Sequence, residues 1–391
     1  MQDRETVRRL FDTAEALAAE FAGTAVERDK AGGTAKAQRD RLRESGLLNL
    51  IVPRAYGGHG LNWHDTLRIV RLVSRADSAL GHLFGFQHLL LATLRLFGDQ
   101  WEHYYAETVR GRWFWGNALN PLDTRARIAA DGTGGWLLRG TKSFCSGAMD
   151  ADHLIVSALA EDSGPLLIAA IPGDRAGIRI NADWDNMGQR QTDSGSVEFH
   201  EVRVHEHEIL RNPGPLGNVY ATLRSVIAQL VLTNIYLGIG EGALAEARAY
   251  TLGQSRAWFL SGVDSPRKDP YVLQKYGEFT VELQTAALAT DHAALLLDAA
   301  WAKENALTPE ERAHAALAAA VAKVHTSRAA LDVTHRLFEV TGARATVAKA
   351  GFDRHWRNLR THTLHDPADY KLRDLGEWTL NGTPPTPSFY S

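Results

Sequence analysis

Three textures in a fixed order constrain the fold of this 391-residue chain more than any single motif does. From the start to about Trp113, apolar residues recur at helical spacing. Leu10, Phe11, Ala14, Leu17 and Ala18 show it, as do Ile69, Val73, Leu80 and Leu90. The run Pro53-Arg54-Ala55-Tyr56-Gly57-Gly58-His59-Gly60 interrupts them as a loop, marked by its proline and glycines. From about Phe114 to Leu210, glycines and prolines punctuate short β-prone runs at 135–140, 154–157 and 166–171. Val197, Phe199, Val202 and Val204 alternate with polar residues there, as half-buried strands require. Short strands at this density predict a small barrel or sandwich. From about Pro215 the texture is helical again, with long helices expected over 227–252, 271–298 and 309–340, the last stopped by Thr341-Gly342. Long helices on short connections describe a bundle. The expected fold is mainly α with a central β-domain: an N-terminal helical domain (1–113), a small β-barrel domain (114–212), and a C-terminal four-helix bundle and tail (213–391).

Composition narrows the function. Apolar residues make up 45% of the chain, enough for a large core. The formal net charge is −3 with signs mixed, so no basic stripe suggests nucleic acid or an anionic membrane as a partner. Cys145 is the one cysteine, which excludes a disulfide framework and suits a reducing compartment. The N-terminus is charged and does not read as a secretory signal, and no uninterrupted apolar run reaches transmembrane length. A soluble, cytoplasmic protein is expected.

The motif richest in chemistry is Arg360-Thr361-His362-Thr363-Leu364-His365-Asp366. Two histidines three residues apart face the same way on a helix, and histidine titrates nearest physiological pH. Read alone, the segment could equally be a solvated helix end.

Helices, a small β-domain and a bundle, in that order, are the architecture of the acyl-CoA dehydrogenase superfamily, and the chain resembles it over essentially its whole length. Pro53-Arg54-Ala55-Tyr56-Gly57-Gly58 is similar to the superfamily's N-terminal loop. Gly140-Thr141-Lys142-Ser143-Phe144-Cys145-Ser146-Gly147 is similar to its flavin-side strand. Residues 238–256 resemble its first bundle helix, with Gly242, Ala243, Ala247, Tyr250 and Arg256 in register.

Two departures matter. Where many members carry a proton-abstracting glutamate, this chain reads Arg360-Thr361-His362-Thr363-Leu364-His365-Asp366-Pro367; Asp366 is the nearest acid. Where members that hold FAD carry an arginine–phenylalanine–glycine turn, Arg256 and Phe259 remain but Leu260 replaces the glycine, which implies FMN in preference to FAD. Both departures resemble the branch of flavin-dependent monooxygenases that includes the dibenzothiophene monooxygenases and related sulfur-acquisition oxygenases. Trp184-Asp185-Asn186-Met187-Gly188-Gln189-Arg190-Gln191-Thr192-Asp193-Ser194-Gly195-Ser196, residues 360–367 and Asn381-Gly382-Thr383-Pro384-Pro385 carry that likeness.

The resemblance implies a two-component enzyme. A separate flavin reductase supplies FMNH2, a flavin C4a-hydroperoxide forms with O2, and oxygen enters a small apolar substrate, an organosulfur compound being favoured. It also implies a homotetramer with flavin at a subunit boundary. Carried onto this sequence, His365 stands beside the peroxide, followed as candidates by His362 and Ser146. His82 and Phe86 line the substrate pocket, Phe86 where the dibenzothiophene enzymes have a tyrosine. Asn117 (or Asn120) contacts flavin or the peroxide, Trp184 shields the flavin or the substrate, Arg256 pairs with the flavin phosphate, and Arg344 serves the flavin of an adjacent subunit. Each has a plainer reading: His82 as a core histidine, Ser146 as a strand-end serine, Trp184 as core, Arg344 as an exposed arginine after a helix stop. His88 reads as structural.

Three motifs are decoys. Gly238-Ile239-Gly240-Glu241-Gly242 lies in a helical pattern and not after a strand, so the dinucleotide-loop context fails. His205-Glu206-His207-Glu208 reads as a solvated loop and not as a metal site. Arg267-Lys268-Asp269 reads as an exposed loop. Two other functions compete: an FAD-dependent acyl-CoA dehydrogenase with a relocated base, and a non-enzymatic flavin- or DNA-binding relative. The charge pattern opposes DNA.

Overall fold

The computed structural model describes residues 4–161 and 164–391. Its first part is helical: α1 (Arg4–Ala22), α2 (Ala25–Ala31), α3 (Lys36–Ser45), α4 (Trp63–Ala76), α5 (Ser78–Phe97) and α6 (Trp101–Gly111). Every residue of α5 except Arg95 is buried, as expected of a helix that is apolar all round. Asp77 caps it by accepting from the backbone N–H groups of Ala79 and Leu80. A Cβ on Gly85 would meet Val231 Cγ1 at 2.7 Å, so this glycine lets α5 settle against the bundle helix behind it.

Among the described residues, the next seven strands form one curled sheet. They are β1 (Trp115–Ala118), β2 (Arg127–Ala130), β3 (Gly135–Lys142), β4 (His153–Ala160), β5 (Leu166–Pro172), β6 (Ile178–Ile180) and β7 (Val197–His205). β1 and β2 lie end to end and parallel along one edge of β4, with Trp115 opposite His153 and Arg127 opposite Leu159. β5 runs antiparallel along the other edge, and the sheet continues β2–β3–β7–β6 through antiparallel pairs. The β3–β7 register slips between Leu138 and Gly140. Gly140 has φ +103°, and a Cβ there would lie 2.2 Å from Arg125 O, so glycine is required at the irregularity.

The third part holds α7 (Leu223–Gly253), α8 (Pro270–Trp301), α9 (Pro309–Arg336), α10 (Phe338–Thr341), α11 (Asp353–His362) and α12 (Ala368–Asn381). The helix expected over 309–340 breaks at Leu337, and α10 is a separate turn before Gly342. By length and composition α7 could cross a membrane, with mean hydropathy 1.3 over its most apolar window, but that window is wholly buried in the protein. It is the core helix, packed by α4, α5, α8 and α9. Cβ atoms on Gly238 and Gly242 would meet Arg71 O at 2.5 Å and Arg75 O at 2.2 Å. The glycine run is thus a close contact between α7 and α4.

One hydrophobic core runs through the N-terminal helices and α7–α9, and a second fills the sheet. Arg39 of α3 joins helices to sheet. Its fully buried guanidinium pairs with Asp193 at 3.2 Å and Asp150 at 3.1 Å, donates to Gly147 O and Asp150 O, and lies over the Phe114 ring. That clamp fixes the 147–150 turn, next to one wall of the site below.

Candidate active site

A cavity of about 660 Å³ opens where α5, α7, α11, the end of β3 and the 184–194 segment meet. His82, Phe86, Asn117, Ser146, Trp184, His362 and His365 all line it, as does Asn120. Eight candidate residues, from His82 to His365, therefore share one space.

His82 points off α5 and stacks on Phe86, one turn along, with ring centroids 4.1 Å apart. Its Nδ1 lies 2.9 Å from Nε2 of His362, the last residue of α11. Burial pushes His82 down to about 3 and His362 well below its usual range, so both rings are neutral at pH 7. One ring donates and the other accepts. The two remaining nitrogens, His82 Nε2 and His362 Nδ1, are buried with no protein partner among the described residues. In either tautomer one of these is an N–H donor and the other a bare acceptor. Tyr236 Oη donates to His362 O at 2.9 Å and fixes the end of α11.

His365 does not share a helix face with His362. It sits in the turn after α11, half exposed, with Nδ1 3.0 Å from Asp366 Oδ1. Asp366 in turn lies 2.5 Å from Lys323 Nζ, and both are buried. Burial alone would raise the Asp366 pKa, but the hydrogen bond from His365 and the Lys323 ammonium outweigh it and hold the carboxylate ionised. An ionised Asp366 keeps the proton on His365 Nδ1, which leaves Nε2 free. Lys323 also donates to Gln229 Oε1 at 2.5 Å.

Ser146 lies in the turn beyond β3 and not at a strand end, because β3 stops at Lys142. Its Oγ is 2.7 Å from Ser194 Oγ, which is 2.7 Å from Thr192 Oγ1, and Thr192 donates to Gln189 O. Trp184 Nε1 donates to that same carbonyl at 2.8 Å, and its ring meets Phe144 edge-on at 6.0 Å. Lys142, fully buried, donates to Asn120 O, Asp123 O and Ser157 Oγ, which ties down the 119–124 loop on the cavity wall.

Arg256 and Arg344 are exposed and do not line this cavity. Arg344 donates to Gln254 O at 3.1 Å, two residues before Arg256 in sequence. His88 is fully buried against Phe84, clear of the cavity. Within the segment expected as a solvated loop at 205–208, residues Glu206–Glu208 form a 3₁₀ turn; Glu208 is buried, pairs with Arg175 and accepts from His205 N to cap the turn. No group of metal-ligating side chains occurs among the described residues. Asp269 is buried, capping α8 through Tyr271 N, where an exposed loop was expected.

Sequence reasoning missed Arg224, Gln229, Phe389 and Tyr390, which also line the cavity, and Lys323 behind it. A signal existed for Arg224 and Lys323: each is a lone cation inside an apolar helical run, and buried lysine or arginine is rare without a task.

Family models for the acyl-CoA dehydrogenase N-terminal, middle and C-terminal domains match residues 4–112, 116–202 and 230–370. A Pseudomonas putida protein named "Probable FMNH2-dependent monooxygenase SfnC" is 58% identical over 382 residues, 97% of this chain and 96% of that protein. A dibenzothiophene monooxygenase of Rhodococcus erythropolis is 45% identical over 394 residues, 97% of this chain and 94% of that one. The solved methanesulfinate monooxygenase MsuC of Pseudomonas fluorescens superposes with a TM-score of 0.96 at 57% identity, covering 97% of this chain and 99% of that one.

Proposed function

This chain belongs to the acyl-CoA dehydrogenase family and to the FMNH2-dependent monooxygenases within it, and on that premise we propose that it is the oxygenase of a two-component system acting on a small organosulfur compound. It receives FMNH2 from a separate flavin reductase and works in the cytoplasm as a homotetramer. Val281, Leu288 and Leu295 form an exposed apolar stripe at seven-residue spacing along α8, which supports assembly through the bundle.

The observation that carries the reading is the cavity's titratable lining. Imidazoles of His82, His362 and His365 occupy it, whereas the one carboxylate among its lining residues, Asp185, is exposed. A dehydrogenase of this family removes the substrate's α-proton with a carboxylate; this wall offers no buried carboxylate among its lining residues.

The residues present fit a flavin. Two buried imidazole nitrogens lack partners, a hydroxyl chain starts at Ser146, and Trp184 and Phe144 offer aromatic surface. Asn117, Ser146 and Trp184 would hold the ring system, and Arg256 and Arg344 would meet the phosphate of a neighbouring copy's flavin. Reduced flavin, when bound, supplies two of the four electrons that reduce O2.

The protein's work is proton placement and water exclusion. The His82–His362 pair can accept a proton at one outer nitrogen and release one at the other by exchanging the hydrogen between Nδ1 and Nε2. His365 presents Nε2 to the cavity because Asp366 fixes its other nitrogen. Leu89, Ala228, Leu232 and Phe389 keep the inner wall apolar. The test has two halves: without O2 the FMN-loaded protein should stay oxidised with any acyl-CoA, and in a separate assay it should turn over an organosulfur compound only when FMNH2 and O2 are both supplied. Bleaching by an acyl-CoA would overturn the proposal.

A further inference from the structure

We propose that residues 382–391 are a strap that closes the active-site cavity against water, and that Lys371 is the positioning residue that latches it, an inference that rests on the monooxygenase reading above. Gly382, at φ +67°, ends α12 and turns the chain back across α7 and α9. Pro384, Pro385 and Pro387 follow, so the segment forms neither helix nor strand. It is stiff, and ordering it costs less entropy than ordering a flexible chain. Residues 388–391 make a ready-made hook. Ser388 Oγ accepts from the backbone N–H groups of Tyr390 and Ser391, at 3.1 and 3.0 Å, and Ser388 N donates to Ser391 O. The hook carries Phe389 and Tyr390, which line the cavity. Phe389 packs on the main core, and the Tyr390 ring centroid lies 6.1 Å from that of His365.

Polar groups hold the hook. Lys371 donates to Tyr390 O, and Gln229 Nε2 donates to the same carbonyl at 3.4 Å. Ser225 Oγ donates to Ser391 O at 2.8 Å, as does Arg312. Lys371 is 6% exposed, and burial pushes it down to about 8, so it is mainly charged at neutral pH. Among the described residues Tyr390 O is its one hydrogen-bond acceptor, and no carboxylate pairs with it. An ammonium has three N–H groups to satisfy, and burying them short of acceptors is costly. Lifting the hook returns water to Lys371, which offsets the loss of the Phe389 contacts. The seat is also loose: a void of about 10 Å³ lies between Pro385, Ser391 and helices α7, α9 and α12. Other irregular walls of the cavity are fixed more firmly. Lys142 has three acceptors for its three N–H groups, and Gln189 is bonded twice to Asn358 of α11. The strap is therefore the part of the wall that opens at least cost. Closed, it keeps out the water that would release hydrogen peroxide.

The test compares Lys371→Met, Lys371→Arg and a chain stopped after Pro387 with the wild type. Hydrogen exchange, read by mass spectrometry, should quicken about tenfold over residues 382–391 in Lys371→Met while the amides of α7 and α9 keep their protection. Lys371→Arg should restore most of the slow exchange. When the FMNH2-loaded proteins are mixed with O2, the absorbance of oxidised FMN should return about tenfold sooner in Lys371→Met and in the shortened chain than in the wild type. Unchanged exchange over 382–391 in Lys371→Met overturns the inference. So does reoxidation at the wild-type rate in the shortened chain, a result that holds even where Lys371→Met does not fold. Either outcome leaves the monooxygenase reading standing. Reduction of the FMN-loaded protein by an acyl-CoA without O2 sinks that reading, and the inference with it.

Discussion

His82 Nδ1 and His362 Nε2 meet at 2.9 Å across 280 residues of sequence, and each ring keeps its other nitrogen buried and unpartnered. The pair can therefore pass a proton without either ring becoming charged. Replacing His82 or His362 by alanine should lower oxygenation by about 10²–10³-fold, within the range for loss of a positioned acid–base group. FMNH2 would still be oxidised, so hydrogen peroxide released per FMNH2 consumed should rise. A peroxide assay run beside product formation measures this, and an unchanged ratio would remove the pair from proton handling.

Lys323 and Asp366 form a buried ion pair that also orients His365. Breaking such a pair from one side leaves a charge stranded, at about 3–5 kcal/mol. Lys323→Met and Asp366→Asn should each lower the urea midpoint by a corresponding amount, and the double variant should lose less than the sum of the two. In the wild type, the imidazole ¹⁵N shifts of His365 should report a proton on Nδ1. Asp366→Asn should redistribute it between the two nitrogens; an unaltered spectrum would show that Asp366 does not set the tautomer.

Lys142 holds the 119–124 loop by donating to Asn120 O and Asp123 O. Lys142→Met removes both anchors at once. Limited proteolysis of the variant should show new cleavage within that loop while the helical core stays resistant. The wild-type digestion pattern would place the loop's order elsewhere.

Stability should fall steeply with acid. Burial holds His82 and His88 down to about 3 when folded, whereas an unfolded histidine titrates near 6.5. Below that value the unfolded chain binds more protons than the native one. The stability these groups contribute is thus complete above pH 6.5 and is lost as pH falls toward 3, at about 1.4 kcal/mol per pH unit for each histidine. Asp193, pushed up to about 6 by burial, works in the opposite direction between about pH 6 and 4, as do Glu241 and Asp298, which burial also raises, while His153 and His362, held down by burial, add to the loss. Urea titrations at pH 7 and pH 5 should show a clearly lower midpoint at pH 5; equal midpoints would contradict the burial of these rings.

Much of this was legible in the sequence because periodicity reports burial directly. The β-prone runs became β3, β4, β5 and β7, and the long helices needed only adjusted ends. The break at Leu337 was not legible, since the apolar pattern runs through it. Of the candidate site, His82, Phe86, Asn117, Ser146, Trp184, His362 and His365 came together in one cavity, whereas Arg256 and Arg344 did not. What escaped was carried by long-range packing. The His82–His362 contact depends on how α5 meets α11. Arg224, Gln229 and Lys323 sit in helices whose dominant signal is core, and Phe389 and Tyr390 reach the cavity only because Arg312, Ser225 and Lys371 hold the tail down. His362 and His365 were expected on one face, but α11 ends at His362 and turns them apart.

The most direct test of the account is isotopic. The protein, a flavin reductase, NADH and FMN are incubated in turn with methanesulfinate and with dibenzothiophene under ¹⁸O2 in ordinary water, and the products are read by mass spectrometry. The account predicts that at least one of the two gains oxygen carrying ¹⁸O, in step with FMNH2 oxidation. Product without label, or product formed at the same rate when O2 is excluded, would contradict it.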